Sequence, residues 1–258
     1  MEERQVKIIQ SVNRALEILE FLMDAGDGFP LATIADKFNL NKTTTYHLLK
    51  TLESRGYVDQ SFDTKFYKPG WKIYDIASKT WGNQTLVKAG KPYLEVLNKM
   101  FDETVLLCYS GMMNKKIEGI CFCEIESSNP LRTSCPPGTI LPLYCTSQGI
   151  EYLTGLAPDK YEEATKTIEF IPYTRNTILD LVTLRERVAQ AKHDGFCIER
   201  EEFQEGVCTV AVPVFKYTGR VLFSLVISMP TQRATNKRFE EMIAAMKPMA
   251  EELSRLSL

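Results

Sequence analysis

Between residues 30 and 69 the apolar positions change period twice. Leu31, Ile34, Ala35 and Phe38 recur at i, i+3, i+4 and i+7, which lays one apolar stripe along a helix of about two turns. Asn39-Leu40-Asn41 breaks the stripe, and Asn41 has the side-chain oxygen that caps a following helix. In that helix Thr45, Leu48, Leu49 and Leu52 share the inward side, leaving Lys42, Thr43, Thr44, Tyr46, His47 and Lys50 outside, and Gly56 stops it as a C-cap. The period then shortens. Tyr57 to Ser61 and Lys65 to Lys68 read as two strands joined through Phe62-Asp63-Thr64, a turn without the preferred glycine. Helix, hinge, helix and hairpin in this order make a winged helix-turn-helix. Its outward side chains (Lys42, Thr43, Thr44, Tyr46, His47, Lys50) and wing lysines (Lys65, Lys68) suit the major groove and phosphates of duplex DNA.

Upstream, Ser11 is the expected cap of a supporting helix with Val12, Ala15, Leu16, Leu19, Leu22 and Met23 as its stripe, ended by Gly26 and Gly28. Downstream, Pro69-Gly70 precedes a linker helix over 71–80, where Trp71, Tyr74, Ile76 and Ala77 keep near-helical spacing. Two readings of its aromatics stand: they pack against a second copy of the chain, or they seal the hinge onto one of its own domains.

From about residue 84 the pattern mixes periods. Helices are expected over 86–100, 145–156, 180–193 and 235–256. Strands are expected over 104–109 and 116–125, with Gly111 and Asn114 at their turn, then over 196–200, 207–215 and 221–228, with Tyr217-Thr218-Gly219 as a hairpin turn. Hairpin strands with helices segregated between them predict an α+β domain on one antiparallel sheet. The expected division is 1–70 for the winged helix, 71–84 for the linker helix and 85–258 for the second domain.

Charge sharpens the first domain only. Residues 36–72 hold seven Lys/Arg against four Asp/Glu in a chain of net charge −2, a local surplus of the kind phosphate contact needs. Composition (258 residues, 44% hydrophobic) is that of a soluble two-domain protein, and without a membrane-length apolar run or a signal peptide the expected location is cytoplasmic. Seven cysteines (Cys108, Cys121, Cys123, Cys135, Cys145, Cys197, Cys208) without a CxxC argue against a disulfide framework or zinc ribbon, and His47 and His193 do not build a metal site. No metal and no cofactor is expected. Mostly apolar neighbours mark the thiols as buried and inert, although a thiol-based redox-sensing regulator stays as the alternative reading. No nucleophile with a positioned base is identifiable, so the chain reads as a binding protein and not an enzyme.

These features together resemble the IclR family of bacterial transcriptional regulators over nearly the whole chain. The residues that carry the resemblance are Ser11 to Leu19, Leu40 to Leu52 and Gly56-Tyr57-Val58, then Arg132, Gly138, Pro142 to Gly149, Gly195-Phe196, Glu201-Glu202, Gly206-Val207 and Ala211 to Phe215. The resemblance implies an N-terminal winged helix-turn-helix and a C-terminal GAF-like effector domain with an antiparallel sheet flanked by helices. It further implies a repressor or activator that binds operator DNA as a homodimer or homotetramer and responds to a small effector, usually an organic or aromatic acid. Carried over by motif, the effector-binding residues are Ser147, Gln148, Glu199, Thr209 and Ser228. The chain departs from the family at Tyr144-Cys145, where a histidine and a small residue are common, and at Ile150, where lysine is common. His47 stands where arginine is common, which shifts base reading toward Lys42, Thr43, Thr44, Tyr46 and the wing lysines.

Overall fold

The computed structural model describes residues 8–23, 26–81, 85–113, 116–166, 168–216 and 218–256. The chain divides into two compact units, Met1–Asn83 and Gln84–Leu258. In the first, α1 (Gln10–Met23), α2 (Leu31–Lys37) and α3 (Lys42–Ser54) are followed by β1 (Val58–Gln60), β2 (Tyr67–Pro69) and α4 (Trp71–Trp81). Ile18, Leu22, Ile34, Leu49, Val58 and Tyr67 form one buried cluster, so α1, α2, α3 and both strands of the hairpin each contribute at least one side chain to the same small core. Burying each such aliphatic side chain is worth roughly 1.5–3 kcal/mol, which is what holds so small a unit together.

The ends of α3 follow from its sequence. Asn41 Oδ1 accepts the Thr44 amide at 2.7 Å and satisfies a donor that the helix leaves free. At the other end Gly56 takes φ +77, its amide bonds the Glu53 carbonyl at 2.9 Å and the Tyr57 amide bonds the Leu52 carbonyl at 3.0 Å. That pair of bonds is a Schellman close, and it turns the chain directly into β1. The hairpin strands are three residues each, paired Val58↔Pro69 to Gln60↔Tyr67, and shorter than the alternation suggested. With no glycine in the turn, Lys65 itself takes the left-handed conformation at φ 60.

Two expectations for α1 are corrected. Ser11 does not cap it: the helix begins at Gln10, and the Val12 and Asn13 amides both bond the Ile9 carbonyl, so Ser11 lies within the first turn. The apolar stripe is also two faces rather than one. Ile18 and Leu22 are buried, whereas Val12, Leu16 and Met23 are each about half exposed, at 53%, 52% and 51%. Ile9, Val12, Leu16 and Met23 therefore mark a second, outward line that sequence spacing merged with the core face.

The second unit contains α5 (Thr85–Phe101), β3 (Thr104–Met113), β4 (Lys116–Ile125), β5 (Ile140–Leu141), α6 (Ser147–Thr154), α7 (Pro158–Lys166) and α8 (Leu181–Asp194). It ends with β6 (Cys197–Arg200), β7 (Val207–Phe215), β8 (Val221–Pro230) and α9 (Asn236–Arg255). The strands form one sheet in the order β5-β4-β3-β8-β7-β6, with every neighbouring pair antiparallel. Leu94 and Leu97 of α5 and Phe239, Met242, Met246 and Leu253 of α9 pack with Leu107, Val210, Val212, Leu225 and Ile227 on one side. A second cluster joins Ile150 and Leu153 of α6, Leu184 and Val188 of α8, and Cys197 of β6. Helices thus flank the sheet, giving the expected α+β, GAF-like architecture.

Gly111 lies inside β3, opposite Glu118 of β4, and is not at the turn; the turn position Asn114 lies outside the described residues. Tyr217 of the later turn is also outside them, but its neighbours close the hairpin: Lys216 donates to the Arg220 carbonyl and Gly219 to that of Lys216, both at 2.8 Å. Among the described residues no helix is long and apolar enough to cross a membrane.

Candidate functional site

The outward face of α3 is as open as its sequence implies. Lys42, Thr43, Thr44 and His47 are exposed, as are Lys65 and Lys68 on the wing, and Tyr46 is 43% exposed. Lys50 differs. Its ammonium pairs with Glu53 at 2.6 Å and reaches Gln60 Oε1 of the wing at 3.5 Å. The hydrogen bond it donates to Glu53 pushes its pKa up, so Lys50 is a charge already committed to a carboxylate between helix and hairpin. The groups left open on this face are the helix start, Tyr46, His47 and the two wing lysines.

In the second unit, four of the five residues assigned to an effector site line a cavity of about 450 Å³: Gln148, Glu199, Thr209 and Ser228. The register explains their meeting. Glu199 pairs with Thr209 and Thr209 with Ser228, which sets three polar residues in one row across β6, β7 and β8. The start of α6 lies over that row. Ser147, fully buried, does not line the cavity; its hydroxyl joins that of Thr209 at 2.7 Å, and Thr209 donates to Glu199 Oε2 at 2.9 Å.

Glu199 is anchored further by the amides of Glu202 and Phe203, which donate to its Oε1 at 2.5 and 3.3 Å. Burial still pushes its carboxyl up to about 7, against the opposing pull of those hydrogen bonds. The anchoring matters because residues 203–207 form one wall of the cavity, so a carboxylate on the floor fixes the wall. Gln148 is 3% exposed and its Nε2 has no hydrogen-bond partner. An unpaired buried amide of this kind is a donor awaiting an acceptor.

Sequence spacing missed the rest of the lining. Leu106, Leu141 and Val226 supply apolar surface, while Arg132, Thr133, Cys135, Thr146, Phe203, Gln204 and Gln232 come mostly from segments without a period. Arg132 pairs with Glu126 at 2.8 Å. Behind that segment, Glu103 is fully buried and takes Arg233 through both oxygens at 2.6 Å and Arg238 at 3.1 Å, while Arg233 also holds the Leu131 carbonyl at 3.0 Å. A signal for this wall existed only in Pro136-Pro137-Gly138, which marks an ordered turn without saying what it covers.

The Cys121 thiol donates to the Cys123 carbonyl at 3.6 Å, and the neighbouring thiols together with burial push Cys121 and Cys135 far up. All seven thiols are free. Among the described residues no three His, Cys, Asp or Glu side chains gather in a way that could hold a metal ion.

Residues 11–61 match the family description "IclR helix-turn-helix domain", and residues 78–255 match "Bacterial transcriptional regulator IclR C-terminal". The chain is 30% identical over 249 residues to the DNA-binding transcriptional repressor YiaJ of Escherichia coli (strain K12), covering 95% of this chain and 86% of that one. The crystal structure of the Thermotoga maritima IclR aligns with a TM-score of 0.81 at 27% identity over 96% of this chain and 98% of that one. An IclR homolog from Microbacterium hydrocarbonoxydans, complexed with 4-hydroxybenzoate, shares the fold at a TM-score of 0.81 and 18% identity over 96% of this chain and 100% of that one. With both of its units matched in order, this chain belongs to the IclR family of bacterial transcriptional regulators.

Proposed function

We propose that the chain is a ligand-controlled operator-binding regulator: a small organic or aromatic acid occupies the cavity beneath α6, and its presence changes the affinity of α3 for DNA. The observation that carries this reading is Gln148, whose buried, unpartnered Nε2 lines a cavity of about 450 Å³ at the start of α6. Amides at a helix start and a side-chain amide donor together suit a carboxylate. The 4-hydroxybenzoate held by the Microbacterium homolog belongs to the same chemical class. Glu199, Thr209, Ser147 and Ser228 then shape the polar side of the site, with Lys42, Thr43, Thr44, Tyr46, His47, Lys65, Lys68 and, secondarily, Lys50 on the DNA side.

The chain works in the cytoplasm as a homodimer or homotetramer, with residues 71–84 as the linker between the winged helix and the effector domain. Exposed apolar side chains on α1, and Trp71 and Tyr74 at 64% and 79% exposure, supply surface for a second copy. The thiol-sensing alternative has less support. Thiols pushed up by neighbouring thiols (Cys121, Cys135) or by burial (Cys145) hold little thiolate at neutral pH, and the thiolate is the form that reacts with oxidants.

The test is a melting scan of the full chain with 4-hydroxybenzoate and with aliphatic hydroxy acids at millimolar concentration. A ligand that binds only the native state raises Tm, and Gln148→Ala abolishes the rise. The same acid changes affinity for a duplex selected by the protein. If no acid moves either Tm or DNA affinity, the effector reading is wrong.

A further inference from the structure

Phe62 is 86% exposed, more than any other large hydrophobic side chain among the described residues, and it stands at the tip of the wing. We infer that Phe62 is an apolar wedge that enters the minor groove adjoining the major-groove site of α3. The inference rests on α3 being the DNA-reading helix.

The backbone that carries this ring is pinned on both sides. Ser61 donates to the Phe66 carbonyl at 2.8 Å and Lys65 to the Ser61 carbonyl at 3.1 Å. Phe66 donates to the Thr64 hydroxyl at 3.2 Å, and the Gln60 side-chain amide to the Lys65 carbonyl at 3.0 Å. Lys65 accepts a left-handed backbone that favours glycine, and its ammonium lies 4.7 Å from the centre of the Phe62 ring. A hairpin that needed only to turn has no use for a large aromatic in water.

Charge does not explain the tip. Across residues 61–65 Asp63 balances Lys65, so the tip carries no net charge beyond the one contact Lys65 can make, and what remains is an apolar surface. Position supplies the target. Lys50 of α3 reaches Gln60 of the wing, which couples the hairpin to the helix. Along a duplex the grooves alternate, so a hairpin projecting beside a helix in the major groove meets the neighbouring minor groove. Phenylalanine is among the side chains that proteins insert there, partly unstacking a base step.

The experiment uses the full chain and a duplex enriched from a random pool by the wild-type protein, with 2-aminopurine placed at the flanking minor-groove steps. Phe62→Ala should lower affinity about tenfold and lose the 2-aminopurine brightening, with the slope of log affinity against log salt unchanged, because no phosphate contact is removed. Phe62→Leu should keep most of both. Filling the flanking groove with netropsin should bring wild-type affinity down to that of Phe62→Ala. Because the ring is exposed, the melting temperature of the free variant should equal that of wild type. Wild-type affinity in Phe62→Ala overturns the wedge alone, as does a loss accompanied by a lower Tm or a shallower salt slope. Failure of the wild type to enrich any duplex overturns the α3 reading and the wedge with it.

Discussion

Ser147 on α6 and Thr209 on β7 join hydroxyls at 2.7 Å, and through Thr209 the start of the helix is tied to the buried carboxyl of Glu199. The contact links the helix that covers the cavity to the strands that floor it. Thr209→Val keeps the shape of the side chain and removes both bonds. Its expected cost is about 1–2 kcal/mol, since the Ser147 hydroxyl is left buried and unpaired. Calorimetry of the full chain reads this as a lower Tm for the second unit, and acid binding should weaken with it. An unchanged Tm would show that the hydroxyl chain is not a structural tie.

Glu151 makes a second prediction, about pH. It sits on α6 one turn beyond Ser147, is fully buried, and neither carboxyl oxygen has a hydrogen-bond partner. Burial pushes its pKa up from 4.5 to about 8, only partly opposed by Lys247. Below pH 4.5 the proton is bound in both folded and unfolded chains, and between 4.5 and about 8 the folded chain holds it more tightly. Stability from this group is therefore complete at low pH and is lost as pH rises through that window, by on the order of 5 kcal/mol. Glu199, pushed up to about 7, acts in the same direction. Glu151→Gln should match wild type near pH 4 and exceed its stability near pH 9 in urea titrations, and a constant difference across that range would contradict the burial argument.

The order of elements was legible because most of them carry a period and an end signal. Asn41, Asp180 and Thr235 each cap the helix they precede, and Thr209 and Ser228 lie on the strands expected of them. The helix Pro158–Lys166 escaped notice because its inward face is little more than Tyr161, Ala164 and Thr165, too polar to register as a stripe. The two-residue strand Ile140–Leu141 is too short to alternate. Half of the cavity was illegible for a different reason. Residues 131–135 and 203–206 are held beside it through hydrogen bonds such as Arg233 to the Leu131 carbonyl and Thr177 to the Glu202 carbonyl, and long-range bonds leave no spacing in sequence. On α1 the error ran the other way, since an outward apolar line looks the same as an inward one when partners are not visible.

The cap on α3 is testable by itself. Asn41→Ala removes the bond to the Thr44 amide and should cost the first unit about 1 kcal/mol, whereas Asn41→Asp or Asn41→Ser should retain most of it. Hydrogen exchange at the Thr43 to Thr45 amides gives the local readout. Equal protection in Asn41→Ala would mean that the helix start is held by packing of Thr45 and Leu49 instead.

Lys42 and Lys50 should part company on DNA, although the two look equivalent in sequence. Both project from α3, but Lys42 is exposed at the helix start while Lys50 is held by Glu53 at 2.6 Å and leans toward Gln60 and the wing. A lysine that neutralises a phosphate releases a counterion, which contributes about 0.9 to the slope of log affinity against log salt. Lys42→Ala should therefore reduce that slope by close to one and weaken binding more at low salt than at high salt. Lys50→Ala removes a charge whose field Glu53 already cancels, so its effect on the slope should be a fraction of that of Lys42→Ala. Any loss of affinity should instead track the loosened contact between helix and hairpin. Glu53→Gln provides the cross-check, because it frees Lys50 for phosphate and should steepen the slope. Equal slopes for Lys42→Ala and Lys50→Ala would mean that DNA displaces Glu53 from Lys50, and that the pairing belongs only to the free protein.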